Sequence, residues 1–367
     1  VYKGQEAGSL EALVHISNAD PRGAAEADAA LVAMDTRTGR IRALVGGFDF
    51  TRQPFNHVTQ GWRQPGSTIK PLLYSAALEA RVMPSTLVED RPFTAANGWS
   101  PGNSGAGSPE GVITLRQALA QSNNLVSVRV LQHTGTAPAR NWLGRFGLDV
   151  AKQPDNLTLA LGTGQVTPLQ MVRAYATLAN NGWSIDPVVI EKITDAKGKT
   201  LFEAPPPPAL TEENRAIPAR NAYVMNSLLA DVTQVGTAAR VSSVLKRPDL
   251  YGKTGTTNDV LDAWFAGYQP GLATVVWMGY DQPRSLGDHG SGARLAMPIW
   301  MDFMASALKR VPVTPMPEAP GGLVRANDDW LYAEWANGGA VARIEDAAGS
   351  QLAGPPTLID AIRELFK

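Results

Sequence analysis

A chain of 367 residues with 44 % hydrophobic and 18 % charged side chains has the composition of a folded protein with a substantial core, which excludes a disordered polyelectrolyte. Its 33 basic and 34 acidic residues nearly cancel, so no strong field directs it to nucleic acid or to an anionic membrane surface. The absence of cysteine excludes disulfides, thiolate catalysis and cysteine-ligated metal sites, and the four scattered histidines (His15, His57, His133, His289) offer no metal-binding spacing.

Residues 1–28 match no recognisable element and stand as an unassigned N-terminal segment, read as an accessory-domain remnant. The stretch AALVAMDTRTGRIRALVGG (29–47) predicts a β-hairpin: two apolar segments flank Thr36-Arg37-Thr38-Gly39, a polar turn whose glycine accepts positive φ. Pro65-Gly66 then interrupts the chain before STIKPLLYSAALEA, apolar at Ile69, Leu72, Leu73, Ala76 and Ala77 with helical spacing. Pro71 is compatible with a first helical turn, where backbone N–H groups lack partners anyway. Ser67 therefore falls at the helix N-terminus, and Lys70 projects from the same face one turn on.

A Gly/Ser/Asn-rich loop (97–111) precedes TLRQALAQ, a helix with Thr114 as N-cap, which runs into Ser122-Asn123-Asn124 and an apolar helix from Leu125. Two more helices are expected: TPLQMVRAYATLANNG, opened by Thr167-Pro168 and closed by Gly182, and ARNAYVMNSLLADVT. APPPPAL (204–210) between them is a stiff connector. LYGKTG, AWFAGY and ATVVWMGY read as antiparallel strands, and MPIWMDFMASALK (297–309) as a helix. Residues 311–367 form a Pro-rich linker and a small appendage ending in the amphipathic TLIDAIRELFK. No run is long and apolar enough to cross a bilayer. Two strands, a helical insertion, three strands and a helix give an α+β fold: an antiparallel sheet flanked by helices, with an inserted helical subdomain.

Three short motifs carry chemistry. A serine hydroxyl is a weak nucleophile unless a base stands within hydrogen-bond reach, and lysine serves only when burial or a neighbouring cation lowers its pKa. Ser67 and Lys70 have the spacing, but so do Ser243 and Lys246, and the spacing alone discriminates little. Ser122-Asn123-Asn124 offers a hydroxyl to relay a proton and, in Asn124, an amide to bind a substrate carbonyl. Lys253-Thr254-Gly255-Thr256 sets a cation beside two hydroxyls, suited to a substrate carboxylate and to depressing the pKa of Lys70. Gly255 would let a substrate backbone approach the strand, and the N–H groups of Ser67 and Thr256 would form an oxyanion hole.

The ordered set S-x-x-K, S-x-N, K-T-G is the motif series of penicillin-binding proteins and class A β-lactamases. With RQPGSTIKP, ITLRQALAQSNN, LALGTGQVTPLQMVRAYATLANNG and GKTGTTNDVLDAWFAGY, residues 29–310 resemble the transpeptidase domain of a class A high-molecular-mass penicillin-binding protein. The resemblance implies the penicillin-binding, serine β-lactamase-like fold and a D,D-transpeptidase that cross-links peptidoglycan stem peptides, with D,D-carboxypeptidase activity as a side reaction. By resemblance Ser67 is the acylated nucleophile, Lys70 its base and Ser122 the proton relay. Asn124, Lys253, Thr254, Gly255 and Thr256 bind and polarise substrate. No metal or cofactor is implied. The implied partners are a D-Ala-D-Ala donor, an amine acceptor and β-lactams. The implied location is the periplasmic side of the bacterial inner membrane, with a membrane anchor and a glycosyltransferase domain in the full-length protein.

A β-lactamase shares acylation but needs a deacylating glutamate, placed in class A enzymes in an E-x-x-L-N segment between the second and third motifs. Glu191, Glu203, Glu212 and Glu213 occupy that interval, none in such a segment, and the middle motif reads S-N-N instead of S-D-N. A carboxypeptidase differs only in using water as acceptor, and a sensor only in lacking turnover. A P-loop is excluded because YGKT lacks the upstream glycine.

Overall fold

The computed structural model describes residues 27–51, 54–103, 111–326 and 328–345. At its centre is a five-stranded antiparallel sheet of β1 (Ala27–Asp35), β2 (Ile41–Val45), β3 (Tyr251–Thr256), β4 (Asp262–Gln269) and β5 (Leu272–Tyr280), in the order β2-β1-β5-β4-β3. The β1–β2 hairpin closes on Gly39 at φ +73°, where a Cβ would lie 2.1 Å from the Asp186 carbonyl. The chain then leaves the sheet for some two hundred residues before returning as β3. The β1–β2 hairpin and the β3–β4–β5 meander are thus joined in the sheet by the β1–β5 pairing, with Leu31 opposite Val276; within the meander Phe265 lies opposite Val276 and Thr254 opposite Phe265.

Among the described residues, eight helices longer than the single turn His57–Gln60 surround the sheet: α1 (Lys70–Glu79), α2 (Leu115–Ala120), α3 (Asn124–Thr134), α4 (Thr136–Leu143), α5 (Pro168–Ala179), α6 (Ala219–Gln234), α7 (Ala239–Leu245) and α8 (Ala296–Ala307). Strand periodicity assigns the two faces. Phe265 packs on Trp300 of α8, while Tyr268, three positions on and pointing oppositely, meets Tyr175 of α5 edge-on. Both faces are therefore covered, which is why β4 is buried along its whole length. The caps read from sequence are present: Thr114 and Thr167 each form a capping box with the glutamine three residues on, and Pro168 occupies the first turn of α5.

Residues 311–326 and 328–345 wrap back over the helices. Thr314 N–H bonds the Asp249 carboxylate, and Tyr332 O–H donates to Glu79. Arg116 of α2 meets Asp329 through both Nε (2.7 Å) and Nη2. Arg343–Ile344 then adds a parallel strand to Leu87–Asp90, which pairs with Gly111–Thr114. These pairings, and the exposed hairpin of Lys192–Thr194 and Thr200–Glu203, were not anticipated from sequence. Residues 1–26, the loop's 104–110 and the amphipathic C-terminus lie outside the described residues. Among the described residues no helix is long and apolar enough to cross a membrane.

Candidate active site

The chain between Pro65 and Lys70 is a 3-10 turn, Gly66–Ile69, that continues directly into α1. Gly66 sits at φ +53°, and a Cβ there would lie 2.7 Å from the Thr256 carbonyl oxygen. The turn is clamped from several sides. Gly162, at φ +72°, presses its Cβ position to 2.1 Å from the Gly66 carbonyl; Tyr175 O–H donates to the Thr68 carbonyl (2.9 Å), and Trp264 Nε1 to the Gln64 carbonyl (2.8 Å). Ser67 is thereby held, half-buried, against the outer edge of β3.

The second motif arrives on a strained turn. Ser122 adopts φ +59° between α2 and α3, and Asn123 caps α3 by accepting from Val126 N–H. The third motif is the edge strand β3 itself. Alternation along the strand puts Lys253 on the α5 side and Thr254 and Thr256 together on the other. Because Thr257 N–H pairs with the Asp262 carbonyl, ladder alternation turns the Thr256 N–H outward, towards the Gly66–Ser67 turn.

Ser122 is where the three motifs meet. Lys70 Nζ donates to the Ser122 carbonyl (2.7 Å), the Asn123 carbonyl (3.2 Å) and Asn124 Oδ1 (2.7 Å). Lys253 Nζ donates to Ser122 Oγ (2.7 Å) and to the Thr254 carbonyl (3.1 Å). Both lysines are fully buried. Burial pushes the Lys253 ammonium down to about 7. It pushes Lys70 well below its ordinary value, with the nearby Lys253 charge acting in the same direction. The three oxygens around Lys70 oppose this by holding its protons. A neutral amine still has two N–H donors for those oxygens, and its lone pair becomes the group that can take a proton. Among the described residues no hydrogen bond joins Ser67 Oγ to Lys70 Nζ, so the three acceptors compete with the serine for the lysine.

Two expectations need adjusting. The Cβ position of Gly255 faces Pro65 O and Thr68 Cγ2, both at 2.7 Å, so this glycine makes room for the protein's own Pro65–Thr68 turn. Asn124 has both ends of its amide engaged: Oδ1 accepts from Lys70, and Nδ2 donates to the Gly102 carbonyl at 2.8 Å. Any other carbonyl that took this Nδ2 donor would have to displace Gly102. Of the second S-x-x-K pair, Ser243 is exposed on α7 and Lys246 is the exposed residue that ends it, and neither joins these contacts; Ser243 O–H simply bonds Arg240 O.

Some neighbours had no sequence signal. Tyr74 O–H and Ser127 form a buried pair (3.0 Å), and Ser127 donates to the Asn123 carbonyl (2.6 Å), bracing the turn that holds Lys70. Gly292 N–H donates to Thr256 Oγ1 (3.1 Å). His57, scattered in sequence, is buried with Nε2 2.7 Å from Asp281 Oδ1 and Nδ1 2.8 Å from the Gly46 carbonyl, with Asp28 beside it. Both of its ring nitrogens already have protein partners.

The family model for the penicillin binding protein transpeptidase domain matches residues 29–304. The chain is similar to penicillin-binding protein 1A of Neisseria lactamica, 45 % identical over 311 residues that cover 83 % of this chain and 39 % of the relative. It is also 39 % identical to penicillin-binding protein 1A of Pseudomonas aeruginosa, over 80 % of this chain and 42 % of the relative. The chain thus spans about two fifths of the length of these relatives. Among solved structures, penicillin-binding protein 1A from Haemophilus influenzae superposes with a TM-score of 0.77 at 35 % identity, covering 82 % of this chain and 50 % of that one. PonA1 from Mycobacterium tuberculosis in complex with penicillin V gives 0.70 at 26 %, covering 87 % of each chain. A sheet covered by helices on both faces, with the three motifs converging at its edge, accompanies a family match over most of the chain: the protein belongs to the penicillin-binding protein transpeptidase family.

Proposed function

We propose that this chain is a peptidoglycan D,D-transpeptidase domain that works through an acyl-enzyme on Ser67, outside the cytoplasmic membrane. The observation that carries the reading is that Ser122 lies between two buried lysines, Lys70 on its carbonyl and Lys253 on its hydroxyl, beside the turn that bears Ser67.

Neutral Lys70 takes the proton of Ser67 as Oγ attacks the carbonyl carbon of the D-Ala-D-Ala amide. The oxyanion faces the N–H groups of Ser67 and Thr256, and Asn124 orients the donor once Gly102 has moved away. The C–N bond breaks as Ser122 gives its proton to the leaving nitrogen, and that proton is made good from Lys70. D-Ala departs. An amine from a second stem then attacks the ester carbonyl, loses its proton to the same relay and frees Ser67. Lys253, Thr254 and Thr256 receive the donor's carboxylate.

β-Lactams present a strained amide and a carboxylate with the same disposition, so they acylate Ser67. Deacylation by water is slow on this reading. Glu191, Glu203, Glu212 and Glu213 are all exposed, and three of them are spent on ion pairs with Arg40, Lys192 and Arg215. The test is intact-protein mass after incubation with a penicillin, for the parent and Ser67→Ala. A single adduct lasting hours on the parent, and none on the variant, is expected. An adduct on Ser67→Ala refutes the nucleophile, and one lost within seconds turns the reading into that of a β-lactamase.

A further inference from the structure

The two threonines of β3 are supplied from behind in parallel ways. Thr256 Oγ1 accepts the Gly292 N–H at 3.1 Å, so its own proton is free to point into the cleft. Thr254 Oγ1 lies 3.2 Å from Thr237 Oγ1, a hydroxyl carried by the segment between α6 and α7. Thr237 is itself fixed in place. Its N–H donates to the Ala120 carbonyl (2.9 Å), in the last turn of α2 before Ser122, and the preceding Gly236 packs so close that a Cβ would fall 2.3 Å from that same oxygen. Thr237 is exposed and Thr254 almost fully buried.

Between two neutral hydroxyls either can donate. With an anion in front of the strand the choice is made. A hydrogen bond to a carboxylate is roughly twice as strong as one between neutral groups, so the Thr254 proton goes to the anion. The only neutral bond then left between the pair runs from Thr237 O–H to Thr254 Oγ1, and it polarises Thr254 in the direction that strengthens its bond to the anion.

We propose that Thr237 is a positioning residue for recognition of the acyl donor's carboxylate: its O–H orients the Thr254 hydroxyl towards that anion, as the Gly292 N–H does for Thr256. This rests on the acyl-transfer reading above. It makes Thr237 a determinant of selection for donors with a free carboxylate.

The experiment compares second-order rates of acylation by benzylpenicillin and by its methyl ester, for the parent, Thr237→Val and Thr237→Ser. Valine keeps the shape and the backbone bond to Ala120 but cannot donate. Loss of one orienting hydrogen bond is expected to slow Thr237→Val about fivefold with benzylpenicillin. The ester, lacking the charge, should react with parent and valine variant alike, and serine should restore the parental rate. The thermal midpoint of Thr237→Val is measured alongside and should match the parent. Equal slowing with acid and ester would overturn the proposal, because it would mean that the valine disturbs the Ser122 turn. An unchanged rate with benzylpenicillin would overturn it too. A parent that benzylpenicillin does not acylate refutes the acyl-transfer reading itself, and is told apart from failure of this inference because no variant is needed to see it.

Discussion

Replacing Gly66 by alanine perturbs the site through two separable effects. The first is conformational: φ +53° is left-handed backbone, costing an L-residue about 1–2 kcal/mol. The second is steric. The new methyl would sit 2.7 Å from the Thr256 oxygen, 2.9 Å from its carbonyl carbon and 3.2 Å from its nitrogen, all backbone atoms of β3 that cannot swing aside as a side chain would. Overpacking of this kind costs roughly 1–3 kcal/mol, so the sum is about 2–5 kcal/mol. Relief requires the turn and the strand to separate, and that separation lies between Ser67 and the Thr256 N–H. A displacement near 1 Å at such a site costs on the order of 10²-fold in rate. Gly198→Ala is the control: φ is +83° in an exposed turn and no atom lies within 4 Å of the Cβ position, so only the conformational part applies. Urea melts of both variants, with penicillin acylation rates taken under conditions where each is folded, separate the two effects. If Gly66→Ala lost no more stability than Gly198→Ala and acylated at the parental rate, the argument that this glycine sets the gap between nucleophile and strand would be wrong.

Lys253 moves from 10.5 when unfolded to about 7 in the folded protein, so between those values the unfolded chain binds the extra proton and its contribution to stability improves as pH rises. The stability of the parent relative to Lys253→Met should therefore increase by about 2 kcal/mol from pH 7 to pH 9, and parallel urea-melt curves across that range would contradict it. The same variant removes the charge that helps to depress Lys70, so the acid limb of any residual acylation should move to higher pH; an unmoved limb would mean that burial alone tunes Lys70. Arg116→Met leaves the carboxylates of Asp231 and Asp329 facing each other without the guanidinium that bonds both. It should cost about 2–4 kcal/mol in urea melts, and a loss under 0.5 kcal/mol would mean that the C-terminal segment is not held by this contact.

Local structure was legible where it follows from local chemistry. Gly39 in the β1–β2 turn, the Thr114 and Thr167 caps and the Pro71 first turn each answer to their own few residues, and each was read correctly from the sequence. The family was legible because three motifs in fixed order carry information that none carries alone. The hairpin at 192–203 was missed because its strands are exposed on all faces and have no apolar alternation to announce them. The strand at Arg343–Ile344 was missed because two residues cannot show a period; its pairing with Leu87–Val88 is decided by a partner more than two hundred residues away.

For the site, the sequence by itself determined which groups are available: a hydroxyl and an amine one turn apart at Ser67 and Lys70, a second hydroxyl at Ser122, and a cation with two threonines in one strand. Only the tertiary structure decided what each group faces. It puts Lys70 and Lys253 on opposite sides of Ser122 and buries both, which is what lowers their proton affinity. It gives Gly255 to the Pro65–Thr68 turn, engages Asn124 with Gly102, and brings Thr237 to Thr254. The reason is that residue type fixes what a side chain can donate, accept or titrate, whereas desolvation and hydrogen bonding depend on which distant segments close around it.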